Sequence, residues 1–299
     1  MFFKKKCRLI DIDRGTAYYR LNYSKEKDKR LNDLKIKDEI EKIQLDFPYY
    51  GHRTIKAELK RRKNWIINKK RLIRIMREYG LKSQLKRLFK SFTESRHNLR
   101  KYPNLIKDLL TNSINQIWGA DITYIRVKNE FIYLAVIIDL YSRKIKGWAL
   151  SRNIDANLTI AALERALKNN SKPDIHHSDQ GVQYCAKEYV EILKEKEIKI
   201  SMSDKANPFQ NAICESFFKT LKYNEVYLNE YDDYEEALNN IKEFIEIVYH
   251  RKRLHSSLGY LPPAEFEENI IKQRKVEQKQ TINNFNNLKQ ILPNLLTNP

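Results

Sequence analysis

Between Leu34 and Leu81 the apolar positions recur at helical spacing, with Ile36, Ile40 and Ile43 on one face and a break at Phe47-Pro48-Tyr49-Tyr50-Gly51. A second helix is expected over Thr54 to Arg62, carrying Ile55 and Leu59 inward. A third should begin after Asn68, whose side chain can accept from the free first-turn amides, and end at Gly80, which tolerates the left-handed turn that closes a helix. Leu72, Ile75 and Met76 form its apolar stripe, while Lys69, Lys70, Arg71, Arg74 and Arg77 occupy the other face. Three short helices with a basic third one suit a helix-turn-helix module laid on DNA; a small bundle with a solvated charged face is the plainer reading. Basic residues continue through Lys82, Lys86, Arg87 and Lys90, which favours DNA. Residues 1–30 are too short to hold a core. They read as the tail of a helical element followed by a Lys-rich linker from Ser24 to Arg30, and Ser83 to Asn112, without a clear period, reads as a second linker.

From Asn115 the pattern changes to strands. Ile117 to Val127 is the first, turning at Lys128-Asn129-Glu130; Phe131 to Asp139 is the second, turning at Leu140-Tyr141-Ser142-Arg143; Lys144 to Leu150 is the third. Two tight connections make these an antiparallel meander. An amphipathic helix over Ala156 to Asn169 follows, then a short strand ending in Ile175-His176-His177, a helix around Ala186 to Lys194 and a strand over Ile198 to Met202. This order resembles the ribonuclease-H-like α/β fold, a mixed sheet with the strand order of the integrase core. A helix after Asn211 and another from Tyr231 to Tyr249, with Ala237, Ile241, Phe244 and Ile247 inward, complete it. A basic stretch from Tyr249 to Tyr260 leads into Leu261-Pro262-Pro263, and past Ile270 the Gln, Asn and Lys content rises while packing signals fade. The expected division is residues 1–30, a helix-turn-helix region over 34–95, a catalytic core with a basic extension over 112–267, and a polar tail over 268–299.

Charge sharpens this picture. Lys and Arg number 57 against 38 Asp and Glu, a net charge of +19 and a sequence pI near 9.6, which points to a polyanionic partner such as DNA. Cys7, Cys185 and Cys214 are far apart and lack C-x-x-C spacing, so neither a disulfide framework nor a zinc knuckle is indicated, and a reducing cytoplasm fits. The longest apolar run, Ile132 to Ile138, is far short of the roughly 20 residues that span a bilayer, so no membrane association is expected.

Three carboxylates stand where this pattern is interrupted: Asp121 inside an apolar strand, Asp179 in Ser178-Asp179-Gln180-Gly181 just past a strand end, and Glu215 on a helix. In the expected sheet the first and fourth strands are neighbours, so the two aspartates can face each other. At about 100° per residue Ile213, Phe217 and Leu221 share one stripe of the helix, with Asn211, Glu215, Lys219 and Lys222 nearly opposite. Phosphodiester chemistry needs an activated nucleophile and charge relief at the leaving oxygen. Two hard divalent cations roughly 3.5 to 4 Å apart supply both and prefer carboxylate ligands. Each residue also has a plainer reading: Asp179 as a turn residue, Glu215 as a solvated helix glutamate, Lys219 and Lys222 as surface lysines. Asp121 is the hardest to dismiss, because a buried charge demands a partner. Asp139 reads as a turn or capping residue. His176 and His177, adjacent on a strand, point to opposite faces and read as structural or supporting residues rather than a zinc site.

Taken together these residues resemble the DDE transposases of bacterial insertion elements, the OrfB product of insertion-sequence family three, whose core is related to retroviral integrase. The matching blocks are Trp118 to Tyr124, His177 to Tyr184, Asn211-Ala212 through Glu215 to Lys222, and Arg253-x-His255-x-x-Leu258-Gly259-Tyr260-x-x-Pro263, with Tyr50-Gly51-His52-Arg53 in the accessory helix-turn-helix. The resemblance implies Asp121, Asp179 and Glu215 as catalytic metal ligands and Mg²⁺ or Mn²⁺ as cofactor, two ions in number. It also implies metal-dependent DNA cleavage and strand transfer. DNA contacts are expected from Lys219, Lys222, Asn211, Lys69, Lys70, Arg71, Arg74, Arg251 and Arg253. A homo-oligomer on DNA, an OrfA-type partner or fusion, and a cytoplasmic, nucleoid-associated location are further implications. The alternatives are a non-catalytic DNA-binding regulator from a decayed element and a plain nuclease of the same fold.

Overall fold

The computed structural model describes residues 13–83, 99–107, 109–128, 130–168, 171–203 and 212–295. They fall into two compact units divided between Lys86 and Arg87.

The first unit is helical: α1 (Arg14–Asp46), α2 (His52–Lys63) and α3 (Lys69–Glu78). Its core is the apolar set read from the sequence, with Ile40, Ile43, Ile55, Leu59, Leu72 and Ile75 fully enclosed. Phe47 and Tyr50 stack at 4.5 Å and fill the break between α1 and α2. The Asn68 carbonyl oxygen accepts from Lys70 N at 2.8 Å, and Gly80 takes the expected positive φ. The linker expected over Ser24 to Arg30 is instead part of α1. From Thr16 to Asp46 the sequence contains neither Gly nor Pro and is dense in Lys, Glu, Leu and Arg, so intrinsic helix preference carries the chain through a stretch with no apolar stripe. Asp13 starts this helix by accepting from Gly15 N and Thr16 N.

The second unit is built on a five-stranded mixed sheet of β1 (Ile117–Val127), β2 (Glu130–Asp139), β3 (Ile145–Ser151), β4 (Ile175–Ser178) and β5 (Lys199–Met202), in the order β3-β2-β1-β4-β5. The meander pairs are antiparallel, and β4 and β5 add in parallel. Alternation along β1 divides the core in two: Ile117 and Ile125 face one layer, Trp118 and Ala120 the other. The second layer holds α4 (Ala156–Leu167), the short α5 (Val182–Cys185) and α6 (Lys187–Glu195). The first holds α7 (Ala212–Leu221) and α8 (Tyr234–Glu243), each prolonged by wider π-type turns, over Lys222–Val226 and Phe244–Lys252. Contact between β3 and α4 is direct, since a Cβ added at Gly147 would lie 2.2 Å from the Ala162 carbonyl oxygen.

Two expectations change here. Ile247, read as inward, is 39% exposed; across the π segment the buried positions are Phe244, Ile245 and Tyr249, because wider turns rotate Ile247 out of the stripe. The polar tail is α9 (Pro263–Leu295), which starts with Pro at its first position and meets no breaker until Pro293. The described side chains over 271–280 are exposed, in keeping with the loss of packing signal. α9 is fastened at its start: Glu267, buried, accepts from Ser142 Oγ, Lys144 Nζ and Lys146 Nζ at 2.6, 3.0 and 2.6 Å. Asp139, the turn residue expected, caps the β2–β3 turn from below by accepting from Asn115 N, Tyr141 N and Ser142 N.

Candidate active site

Parallel pairing sets Ile117 against Ile175 and Gly119 against His177. The pairing stops two residues short of Asp121 on β1 and of Asp179 beyond β4, and the Asp179 carboxylate is close enough to act electrostatically on Asp121. Asp121 lies in mid-strand on the sheet face that α7 covers, and its Oδ1 accepts from Ile122 N at 2.8 Å. Asp179 directly follows β4, its Oδ1 accepting from Gly181 N at 2.9 Å, while Gln180 Nε2 donates to Ser203 O. Glu215 is exposed in the first turn of α7, next to Cys214, which is buried against the sheet. The absence of a side chain at Gly119 permits this approach, since a Cβ there would meet Cys214 Sγ at 3.2 Å.

These placements give Asp121 an unusual charge balance. Burial, then the neighbouring Asp179 carboxylate and, more weakly, Glu215 push it up to about 8, against smaller opposing pulls from the Ile122 amide and Lys222. Asp179 and Glu215 therefore both act electrostatically on Asp121. Among the described residues no three His, Cys, Asp or Glu side chains are already gathered around a common metal position. Two aspartates and a glutamate that interact electrostatically, oxygen donors only, nevertheless fit a hard divalent cation. Such an ion would offset the burial and the carboxylate repulsion that raise the Asp121 pKa.

Lys222, expected on the Glu215 face, is half-buried with its Nζ 4.3 Å from the Tyr124 ring centroid. Burial lowers its pKa, and the attraction of Asp121 partly restores it. Tyr124 was not singled out from the sequence; its signal is a strand aromatic three residues past a buried acid. Lys219 is exposed on the outer face of α7, and Asn211 lies outside the described residues. Arg251 is exposed, whereas Arg253 turns inward and donates to Thr220 Oγ1 at 3.4 Å. Each histidine bonds a neighbouring hydroxyl, His176 that of Tyr189 and His177 Nδ1 that of Ser201, both at 2.9 Å.

In the first unit the basic face of α3 divides. Lys69 and Lys70 are exposed, but Arg71 and Arg74 are both drawn to the buried Asp33 of α1, Arg71 at 2.7 Å, and Arg74 also holds Glu78. Those two guanidinium groups fasten α3 to α1.

Models of the integrase core domain match residues 112–208 and 196–263, and a model of an HTH-like domain matches residues 31–89. The chain is 36% identical over 266 residues to the insertion element IS600 uncharacterized 31 kDa protein of Shigella sonnei, covering 88% of this chain and 97% of that one. It is also 36% identical over 221 residues to the transposase InsF for insertion sequence IS3A of Escherichia coli (strain K12), covering 73% and 76%. The chain belongs to the IS3-family transposases. It is thus a DDE-type polynucleotidyl transferase that acts on DNA, and neither the regulator nor the plain nuclease is favoured. The transposase for insertion sequence element IS904 of Lactococcus lactis subsp. lactis (strain IL1403) is 37% identical over 67% of this chain and 81% of its own. Among solved structures, the HTLV-2 integrase catalytic core domain in complex with magnesium (trimeric form) is 21% identical, with a TM-score of 0.40 over 49% of this chain and 93% of that one. No described helix of the transposase is long and apolar enough to cross a membrane.

Proposed function

We propose that Asp121, Asp179 and Glu215 are the acids at which this transposase cuts and joins DNA, holding two divalent cations, Mg²⁺ or Mn²⁺. The observation that carries this reading is a carboxylate in the middle of β1, next to β4, whose end leads directly into Asp179, with Glu215 in the first turn of the helix packed on the sheet. Bound cations would lower the pKa of an attacking water or 3′-hydroxyl and stabilise the departing 3′ oxygen. Asp121, fixed by its strand and by the Ile122 amide, is the most rigid anchor; Asp179, held by the Gly181 amide, joins it; Glu215 closes the set from the helix. Lys222, steadied over Tyr124, and the exposed Lys219 grip phosphates of the strand being processed.

Incubating the full chain with labelled element ends and Mg²⁺, with and without an OrfA-type partner, tests the reading. Cleaved and joined products should appear, and chelation should remove them. A homo-oligomer on DNA, an OrfA-type companion and a nucleoid location belong to this proposal. In the same assay Lys222→Ala should weaken DNA binding across sequences and make the slope of log affinity against log salt shallower by about one unit. Unchanged affinity and slope would return Lys222 to the status of a surface lysine.

The divided face of α3 gives a second expectation. Changing Lys69 and Lys70 together to Gln should flatten the salt slope by about one to two units with little effect on melting. Arg71→Gln should instead destabilise the helical unit, because it strips a partner from a buried carboxylate. If Arg71→Gln flattened the slope without loss of stability, Arg71 would be a DNA contact after all.

A further inference from the structure

Along the side of α7 that carries Ser216 and Thr220 lies a pocket of about 320 Å³. Its walls are Arg143 from the β2–β3 turn, Ser216 and Thr220 from α7, and Arg253, His255 and Ser257 from the loop that follows the second π segment. Among the described residues no carboxylate lines it. Arg143 is half-buried in a left-handed backbone conformation (φ 63°), held there by its amide donating to Asp139 O at 2.9 Å. Its guanidinium makes no close ion pair with any described residue; burial lowers its pKa, and the attraction of Tyr249 and of the buried Asp139 carboxylate only partly offsets this. His255 is pushed down to about 3 by burial and by Arg253 and Arg143, so it is neutral, and its buried Nε2 has no hydrogen-bond partner among the described residues. The loop carrying Arg253, His255 and Ser257 is pinned by the pairing of His255 with Leu261 and by Gly259 at φ 65°, so these groups are presented on a fixed frame.

We propose that this pocket binds a backbone phosphate of the DNA, one outside the scissile position, and so fixes the path of the strand beyond the three acids. Two guanidinium groups, hydroxyls from Ser216, Thr220 and Ser257 and an unsatisfied imidazole nitrogen form a set suited to a tetrahedral oxyanion. Ser216 directly follows Glu215, so a phosphate seated here is tied by one peptide unit to the helix that carries the third acid. The inference rests on the chain acting on DNA and not on the assignment of the three acids.

The test uses the full chain, Arg143→Gln and Ser257→Asp. The first removes the charge while keeping a polar, unbranched side chain; the second adds a negative charge at an exposed pocket residue without touching Arg143, and so stands in if the first fails to fold. Inorganic phosphate should raise the melting temperature of the unaltered protein above that in chloride of equal ionic strength, and should do so for neither variant. With element-end duplex, both variants should bind more weakly, and their salt slopes should be shallower by about one unit. Slopes unchanged in every folded variant would overturn the proposal; if phosphate still stabilised the protein in that case, the pocket would be one for a free anion. Asp121→Asn carried in parallel keeps this pocket intact, so failure of the chemistry assigned to the acids is read separately, as loss of joining with the slope preserved.

Discussion

Asp121→Asn should reduce strand transfer by at least about a thousandfold, which corresponds to roughly 4 kcal/mol of transition-state stabilisation, while leaving DNA affinity undiminished. The amide keeps the volume of the side chain and an oxygen for the Ile122 amide, but it removes the charge that would hold a cation. It also removes a repulsion. In wild type without cation, Asp121 is partly ionised at pH 8 against its burial and the charges of Asp179 and Glu215, so the variant should melt higher at that pH, by about 2 °C if the relief is worth near 1 kcal/mol. Joined products from Asp121→Asn at near the wild-type rate would sink the catalytic assignment. Loss of activity together with a lowered melting temperature would mean that Asp121 supports the fold instead.

The second large effect is on stability. Glu267 sits among Lys146, Lys144 and Ser142, with its own side chain 6% exposed and that of Lys146 10% exposed. Glu267→Ala leaves a buried ammonium without its counterion, a change expected to cost about 3 kcal/mol and lower the melting temperature by roughly 6 to 12 °C. Joint replacement by Glu267→Leu and Lys146→Met should recover much of that, because the attraction of a buried pair is largely offset by its desolvation. The pH dependence has a definite sign. Burial raises the Glu267 pKa, but Lys146, the Ser142 hydroxyl and Lys144 more than offset it, and the folded value lies below the ordinary 4.5. Its contribution is complete above pH 4.5 and is lost as pH falls through that depressed value. Glu267→Gln should therefore flatten the acid limb of the melting curve. An acid limb identical to wild type would show that the cluster contributes nothing net.

The sheet and its flanking helices are legible in the sequence because their apolar runs are short and each is bounded by a turn residue; Ile117–Val127 is found at the limits expected. Asp121 is legible for a related reason, since an acid between apolar neighbours has few structural excuses. Where the apolar pattern falls silent, legibility fails. The Lys-rich stretch of α1 and the far part of α9 are helical through propensity and lack of breakers, and no stripe announces them. Ile247 misleads because a sequence does not show where turns widen from α to π. The basic face of α3 looks uniform until Asp33, some forty residues upstream, claims two of its arginines. The cation over Tyr124 and the pocket at Arg143 join segments far apart in the chain, so neither leaves a local signature.

Gly147 has a bearing on how copies of such elements are scored. The Ala162 carbonyl stands 2.2 Å from where its Cβ would be, and the helix backbone can retreat only by lifting α4 off the sheet. A single nucleotide change at that codon can therefore silence an element while every acid, every lysine and every recognisable motif stays intact. A census of genomes that counts active copies by their preserved acids will overstate them, and the discrepancy will concentrate at positions where nothing larger than a hydrogen atom fits.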